Sequence, residues 1–142
     1  MTAETTFQTQ GLSAPVDIRI DRWGIAHIKA ETQADAFFAQ GWNAARDRLW
    51  QIDLWRKRGL GLLAGDFGPA YAAKDQAARL FLYNGDLEPE WRSYGPNAKA
   101  WTEAFIAGIN AYLDGIDAGE HELPPEFRVM GTRPGRWQAT DV

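Results

Sequence analysis

The feature that most constrains the fold is the stretch from residue 31 to residue 59, ETQADAFFAQGWNAARDRLWQIDLWRKRG. Apolar residues recur in it every three or four positions, as one face of a helix requires. They are Ala34, Phe37, Phe38, Trp42, Ala45, Leu49 and Ile52. Thr32 and Asp35 resemble a capping box, which satisfies backbone N–H groups at a helix start. The pattern predicts one long amphipathic helix, ended by the glycines that follow it.

The rest of the chain predicts a hairpin and two more helices. VDIRIDRWGIAHIKA, from Val16, alternates apolar and polar residues on both sides of a turn at Arg22–Gly24, which is typical of a β-hairpin. Residues 69–86 and 96–116 have helical spacing. The second of these helices carries on one face Trp101, Phe105, Ile109, Tyr112 and Ile116. The tail from residue 122 is broken by proline and glycine, so we expect it to be extended.

Composition excludes several classes of function. The formal net charge is −4, so the chain has no general positive field to attract nucleic acid or anionic lipid. It contains no cysteine, which removes disulfides, thiolate nucleophiles and thiolate metal sites. No apolar run is long enough to span a membrane. We therefore expect neither a nucleic-acid partner nor a membrane partner.

Few side chains could carry chemistry. The only histidines are His27 and His121, which are too few for a histidine–carboxylate metal cluster. The only serines, Ser13 and Ser93, do not stand in a G-x-S-x-G motif. His27 alternates with apolar neighbours, so a hydrogen-bonded structural histidine is favoured over a catalytic base. The sequence predicts no catalytic residue and no metal site within this chain.

Three roles are open for the segment GWNAARDRLWQIDLWRKRGLG, residues 41–61: an active site, a nucleic-acid-binding site or a structural scaffold. Asp53 and Lys57 have the favourable acid-first i,i+4 spacing, which predicts an ion pair on the helix surface. Asp47 and Arg48 are adjacent and point about 100° apart on a helix, so they cannot pair with each other. We expect them to bind other segments, as an ion pair or a backbone anchor. The scaffold interpretation is favoured.

The order of several weak motifs adds a resemblance. IRIDRWGIAHIKA, AFFAQGWNAARDRLWQIDLWR, and GLLAGDFG followed by KDQAAR resemble the start of the α subunit of the penicillin acylase family, the N-terminal-nucleophile amidases. The similarity runs from about Val16 to the last residue and continues through Arg56, Asp75, Pro134, Arg136-Trp137 and Asp141. The motif positions expected to be structural are Asp21, Gly24, His27, Gly41, Asp47, Arg48, Gln51 and Arg79.

Two positions depart from the family pattern. Ala26 stands where the pattern has proline before histidine, which is expected to loosen the hairpin. Gly65 stands where the pattern has glutamate, with Asp66 beside it. The second departure puts in question any ion pair that the glutamate makes.

The resemblance implies a fold, and it implies which subunit contains the catalytic nucleophile. The fold is mainly α with an N-terminal β-hairpin, the α-subunit part of an αββα N-terminal-nucleophile hydrolase. Family members are made as one precursor that cleaves itself, and a serine at the new N-terminus of the β subunit is the nucleophile. The residues that close over the acyl group and the calcium ligand lie beyond Val142. We therefore expect no cofactor in this chain, although calcium could bind the full protein.

The resemblance also sets expectations for partners and function. Residues 1–15 are expected to be a flexible arm, and residues 16–142 one incomplete unit. The partners would be the β subunit and a small-molecule N-acyl substrate, and the assembled enzyme would hydrolyse an acyl-amide bond. This chain alone would be inactive. The polar N-terminus predicts a cytoplasmic location, or a periplasmic one if a signal peptide has been removed.

Two alternatives to this function stay open. The first is an acyl-homoserine lactone acylase of the same family. The second is a non-catalytic helical module that docks through its exposed aromatic residues. The docking face would consist of Trp42, Trp50, Trp55, Trp91 and Trp101.

Overall fold

The computed structural model describes residues 5–141 as a short hairpin followed by helices. The elements are β1 Asp17–Ile20, β2 Ala26–Lys29, α1 Gln33–Leu60, α2 Leu63–Phe67, α3 Ala72–Arg79, α4 Glu88–Ser93, α5 Ala98–Asp117 and α6 Pro125–Met130. Short 3-10 helices cover Pro69–Tyr71 and Ala139–Asp141. The prediction of a mainly helical chain with an N-terminal hairpin is confirmed. None of the helices in the described residues has the length and apolar character of a membrane span.

The hairpin forms as predicted, with β1 and β2 antiparallel and Asp17 opposite Lys29. Asp21 closes the turn, because its carboxylate accepts hydrogen bonds of 2.9 Å from the backbone N–H groups of Trp23 and Ile25. Gly24 has a φ of +80°, a conformation that glycine adopts without steric cost. Ala26 pairs with Ile20, so the hairpin closes without the proline of the family pattern.

The long helix α1 begins at the predicted capping box. The Thr32 hydroxyl accepts a 3.0 Å hydrogen bond from the Asp35 N–H and donates one of 2.8 Å to its carboxylate. The helix ends at Gly61, which has a φ of +66°. Within α1 the backbone leaves helical geometry at Arg48, with φ −142° and ψ 25°. No proline or glycine stands at that point of the sequence.

Helices α1 and α5 cross closely through two glycines. A Cβ built on Gly41 would overlap the Phe105 carbonyl, and one built on Gly108 would overlap the Phe38 carbonyl. The two backbones therefore approach as only glycine permits. This crossing organises the main hydrophobic core. Its buried members are Trp42, Ala45, Leu49, Ile106, Ile109, Tyr112, Leu113 and Phe127.

The C-terminal end of α1 is joined to α2 and α3 by side-chain to backbone hydrogen bonds. The buried carboxylate of Asp75 accepts hydrogen bonds of 3.0 Å and 2.6 Å from the N–H groups of Leu63 and Ala64, at the start of α2. The guanidinium of Arg79 donates to the Gly61 carbonyl from Nη2 at 2.7 Å and from Nε at 3.0 Å. Asp75 and Arg79 thus fix the turn at which α1 ends.

Two of the element predictions are wrong in part. The helix predicted over 69–86 is a 3-10 turn and α3, which ends at Arg79. Leu80 and Phe81 beyond it are 81% and 88% exposed, so no packing supports a longer helix. The tail predicted to be extended contains α6, because proline is tolerated in the first turn of a helix and Phe127 is fully buried. Helix α4, which also has proline in its first turn, was not predicted.

The residues after α6 run back across α1 and α5. Asn110 on α5 holds the backbone of Trp137 through two hydrogen bonds, from its side-chain amide to the carbonyl at 2.9 Å and from the Trp137 N–H at 3.0 Å. The Arg136 guanidinium donates to the Asn110 carbonyl and to Asp114 on the same helix. The tail is thus attached to the helical pair over its length.

The described part of the N-terminal arm, from residue 5, has no helix or strand before β1. Ser13 nevertheless binds the buried carboxylate of Asp35, with its N–H at 2.8 Å and its hydroxyl at 2.5 Å. Phe7 contacts Trp42 with ring centroids 5.1 Å apart. Flexibility of the arm stays a prediction, and residues 1–4 lie outside the described part.

Candidate functional site

The most unusual site in the described residues is a buried group of charges beneath the C-terminal tail. Asp53 and Lys57 on α1 form an ion pair of 2.8 Å, and they are only 1% and 8% exposed. Lys57 also donates to the Arg133 carbonyl at 2.8 Å, and Asp53 accepts the Gly135 N–H at 3.0 Å. The predicted pairing is therefore correct, but the predicted surface position is wrong. The tail covers the pair.

Lys57 has a second acidic partner. Its Nζ donates to the Asp66 carboxylate at 2.5 Å, so the acid beside Gly65 forms an ion pair despite the departure from the family pattern. Burial disfavours the charged form of Lys57, but the hydrogen bonds to Asp53 and Asp66 outweigh it and raise the pKa of the lysine. The ammonium therefore stays charged and links α1, α2 and the tail.

Arg56 makes a parallel link one residue earlier on α1. Its Nε donates to the Asp141 carboxylate at 2.6 Å and its Nη2 to the Arg136 carbonyl at 2.7 Å. The Asp141 carboxylate also accepts the Gln138 N–H at 2.9 Å. Because both the Arg56 and the Asp141 side chains are at least nine-tenths buried, this pair closes the end of the tail onto α1.

Beside this link lies a groove of about 630 Å³. Its walls come from α1, from the segment after α3 and from the tail. They are formed by Arg48, Gln51, Ile52, Trp55, Arg56, Gly59, Leu60, Leu82, Trp137, Thr140 and Asp141. We name this feature the Arg48 groove. It is largely apolar, and Trp55 on its rim is 62% exposed.

Three of the motif residues predicted from the sequence meet in the hairpin. Asp21 accepts the turn N–H groups, Gly24 occupies the turn, and His27 Nε2 lies 3.2 Å from the Asp21 carboxylate. The hydrogen bond from Ile25, followed by those from His27 and Trp23, lowers the pKa of Asp21 against the opposing effect of burial. His27, on β2, is thus hydrogen-bonded to the acid that closes the turn, as favoured from the sequence.

The other predicted motif residues do not converge on one site. Gly41 lies at the crossing with α5, and Arg79 binds the end of α1. Asp47 is exposed, and its carboxylate bonds to Arg46 and Asn43 on its own helix. Within residues 5–141, neither Asp47 nor Arg48 bonds to another segment, and contacts of this kind in a longer protein stay a prediction. Arg48 and Gln51 line the groove.

No catalytic constellation forms among the described residues. The Ser13 hydroxyl donates to Asp35, and the Ser93 hydroxyl donates to the Glu90 carbonyl. His121 stacks on Tyr112 with ring centroids 4.4 Å apart, so neither serine has a histidine as its base. Across residues 5–141, no three histidine, aspartate or glutamate side chains are placed to hold a metal ion.

The sequence interpretation missed Arg56, Lys57 and Asp53 as one buried site. The usable signal was the tail motif Pro134 to Asp141, whose single acid is Asp141. Pairing that acid with the basic end of α1 would have required knowing that residues about eighty positions apart meet. Spacing within one helix carries no such information.

Comparisons with known proteins agree with this architecture. The sequence profile described as penicillin amidase matches residues 15–142. Over 90% of the chain, it is 38% identical to a penicillin acylase 2 proenzyme of Pseudomonas sp. SE83. Over 93% of the chain, it is 32% identical to an acyl-homoserine lactone acylase of Pseudomonas aeruginosa. The chain spans only 16% and 15% of the lengths of these relatives.

One solved structure shows the same fold. A thermostable penicillin G acylase of Alcaligenes faecalis superposes with a TM-score of 0.80 at 24% identity, over 89% of this chain and 67% of that one. The helical architecture with its N-terminal hairpin is therefore shared with part of that penicillin G acylase chain. The profile match covers nearly all of the sequence. The chain belongs to the penicillin amidase family.

Proposed function

We propose that these 142 residues are the structural N-terminal part of an amidase that hydrolyses the bond between an acyl group and an amine. The observation that carries the proposal is the 38% identity to a penicillin acylase proenzyme over 90% of the chain. The catalytic groups would then come from the remainder of the protein.

The nucleophile proposed for the whole protein is a serine at the N-terminus of a β subunit, released when the precursor cleaves itself. Its own α-amine would act as the base through a water molecule. Two observations support a larger precursor. The relatives are about six times longer than this chain, and one of them is named a proenzyme. The β subunit is the proposed partner, and this chain alone is proposed to be inactive.

The substrate class has a first and a second candidate. Identity to the penicillin acylase is 38%, against 32% for the acyl-homoserine lactone acylase. Similarity to the penicillin acylase favours a compact N-acyl amide such as a β-lactam side chain. Similarity to the acyl-homoserine lactone acylase favours an N-acyl homoserine lactone. Both reactions break the same kind of bond, so acyl and amine recognition alone separate them.

The test uses the full-length protein and measures kcat/KM on a phenylacetyl amide and on an N-acyl homoserine lactone. We expect hydrolysis of both substrates to depend on the serine at the processed N-terminus, with kcat/KM higher for the phenylacetyl amide by about tenfold or more. A reversed ratio would favour the second candidate. Failure to hydrolyse any N-acyl amide would contradict the proposed function.

Two further expectations accompany this function. Calcium could bind the full protein through ligands outside this sequence, as the family resemblance implies. The cytoplasmic location expected from the polar N-terminus stays a prediction. Fractionation of cells that express the native gene would test it.

A further inference from the structure

The Arg48 groove contains a charged side chain to which the proposed scaffold role assigns no function. It contains three charged side chains, those of Arg48, Arg56 and Asp141. Arg56 and Asp141 neutralise each other in the 2.6 Å ion pair. Arg48 makes no side-chain hydrogen bond or ion pair to any residue in the range 5–141. The groove therefore presents one uncompensated positive charge beside apolar walls.

The groove walls are suited to packing against an apolar side chain of a partner, in addition to binding a charged one. Trp55 is 62% exposed on the α1 side, Trp137 forms part of the tail side, and Leu60 and Leu82 lie in the same groove. Tryptophan and arginine are the residues most enriched at the energetic centres of protein interfaces. A guanidinium also matches a carboxylate with two parallel hydrogen bonds, which fixes the orientation of a partner.

We propose that the Arg48 groove binds a polypeptide segment from the part of the protein outside these 142 residues. In that segment an aspartate or glutamate pairs with Arg48, and a neighbouring apolar side chain packs on Trp55. This inference rests on the proposed function, because the relatives have the extra length that could supply the segment. Charge complementarity selects an acidic segment, and the net charge of −4 opposes a nucleic-acid occupant.

The first experiment compares Arg48→Glu with Arg92→Glu in the full-length protein. Arg92 is an exposed arginine on α4 without a side-chain partner in the described residues, so it is matched for charge and exposure. We expect backbone amides of residues 49–56 to exchange hydrogen at least about tenfold faster in Arg48→Glu, because loss of a desolvated charge pair weakens docking by that much or more. Equal exchange in the two variants would overturn the proposal.

The second experiment keeps Arg48 intact, so it does not depend on the folding of that variant. A photoreactive benzoylphenylalanine replaces Trp55 in the full-length protein, and the adduct is identified by mass spectrometry. An adduct on a segment outside residues 1–142 that contains aspartate or glutamate supports the proposal. An adduct on a second copy of residues 1–142, or on a segment without an acidic residue, or no adduct, would overturn it.

Hydrolysis of a phenylacetyl amide by the unsubstituted full-length protein separates the two proposals. The expected adduct from the Trp55 variant, together with no amidase activity in the unsubstituted protein, would contradict the proposed function while supporting the occupant of the groove. An active protein that gives no adduct would contradict the occupant while supporting the function.

Discussion

Three buried carboxylates share one task in this chain. Asp35, Asp53 and Asp75 are each at most 4% exposed, and each accepts a backbone N–H from a distant segment. The donors are Ser13, Gly135 and Leu63. A buried carboxylate needs such donors, since an unpaired buried charge is strongly destabilising. At the scale of single residues, these acids thus connect segments that are separated along the chain.

Removal of Asp53 should destabilise the chain, because Lys57 would stay buried after losing one of its two acidic partners. We expect Asp53→Ala to lower the free energy of unfolding by about 3 to 5 kcal/mol. Asp47→Ala, on the exposed face of the same helix, should change it by less than about 0.5 kcal/mol. Urea unfolding followed by tryptophan fluorescence measures both values. Equal effects of the two substitutions would show that the buried pair is not stabilising.

Asp35 should make stability depend on acid pH. Its hydrogen bonds from the Ser13 side chain, the Ser13 N–H and Thr32 lower its pKa from the ordinary 3.8. Since the pKa is lowered in the folded state, the stabilisation is present above the unfolded-state pKa and is lost as pH falls through the folded-state pKa. The wild-type chain should therefore have a higher free energy of unfolding than Asp35→Asn at neutral pH. This difference should narrow as the pH falls from the unfolded-state pKa of Asp35 through its folded-state pKa. A constant difference, measured by urea unfolding, would contradict this assignment.

At the scale of elements, the crossing of α1 and α5 decides the fold. Gly41 and Gly108 each face a carbonyl of the opposite helix. Backbone atoms cannot move aside as a flexible side chain can. The crossing therefore depends on the missing Cβ atoms at two positions that spacing along one helix does not mark.

Gly41→Ala tests the crossing against a matched glycine in the same helix. The new methyl group would overlap the Phe105 carbonyl, so we expect a loss of about 1 to 3 kcal/mol or more. Gly59→Ala has open space around its Cβ position and should be neutral or stabilising by up to about 1 kcal/mol, because alanine favours helix. Thermal unfolding of the two variants gives the comparison. A milder effect at Gly41 than at Gly59 would mean that the helices do not cross as described.

Sequence patterns predicted elements better than the contacts between them. The apolar stripes of α1 and α5 and the alternation in the hairpin are local properties, so they gave the correct element types. Helix α6 was missed because two adjacent prolines suggested an extended chain, although burial of Phe127 favours helix there. The spacing of Asp53 and Lys57 predicted their pairing, but their burial depends on Gly135, which lies 82 residues from Asp53.

At the scale of the whole molecule, apolar side chains are left uncovered. Large exposed examples are Trp23, Trp55, Leu80, Phe81, Tyr83, Tyr94 and Val129. An exposed surface of this kind marks an interaction site or an aggregation hazard. The docking face predicted from the five tryptophans is wrong in part, because Trp42 is buried in the core and only Trp55 of the five is exposed. A docking module would therefore use these exposed residues for an independent partner, whereas the proposed function would cover them with the remainder of the precursor.

Sedimentation of the isolated 142-residue chain distinguishes these alternatives. We expect self-association or binding of an apolar dye, because the exposed aromatic and aliphatic side chains lack their cover. Co-expression with the remainder of the precursor should abolish both. A compact monomer that binds no dye would mean that the described residues form a self-sufficient domain, and the docking-module alternative would then be favoured.

We propose that these residues supply structural support, and no catalytic group, to a larger hydrolase. The decisive measurement is the initial rate of phenylacetyl amide hydrolysis, at equal concentration, for the full-length protein and for the 142-residue chain. We expect turnover by the full-length protein and none by the chain alone. Turnover by the isolated chain that persists on repurification, whether or not Ser13→Ala or Ser93→Ala abolishes it, would contradict this proposal.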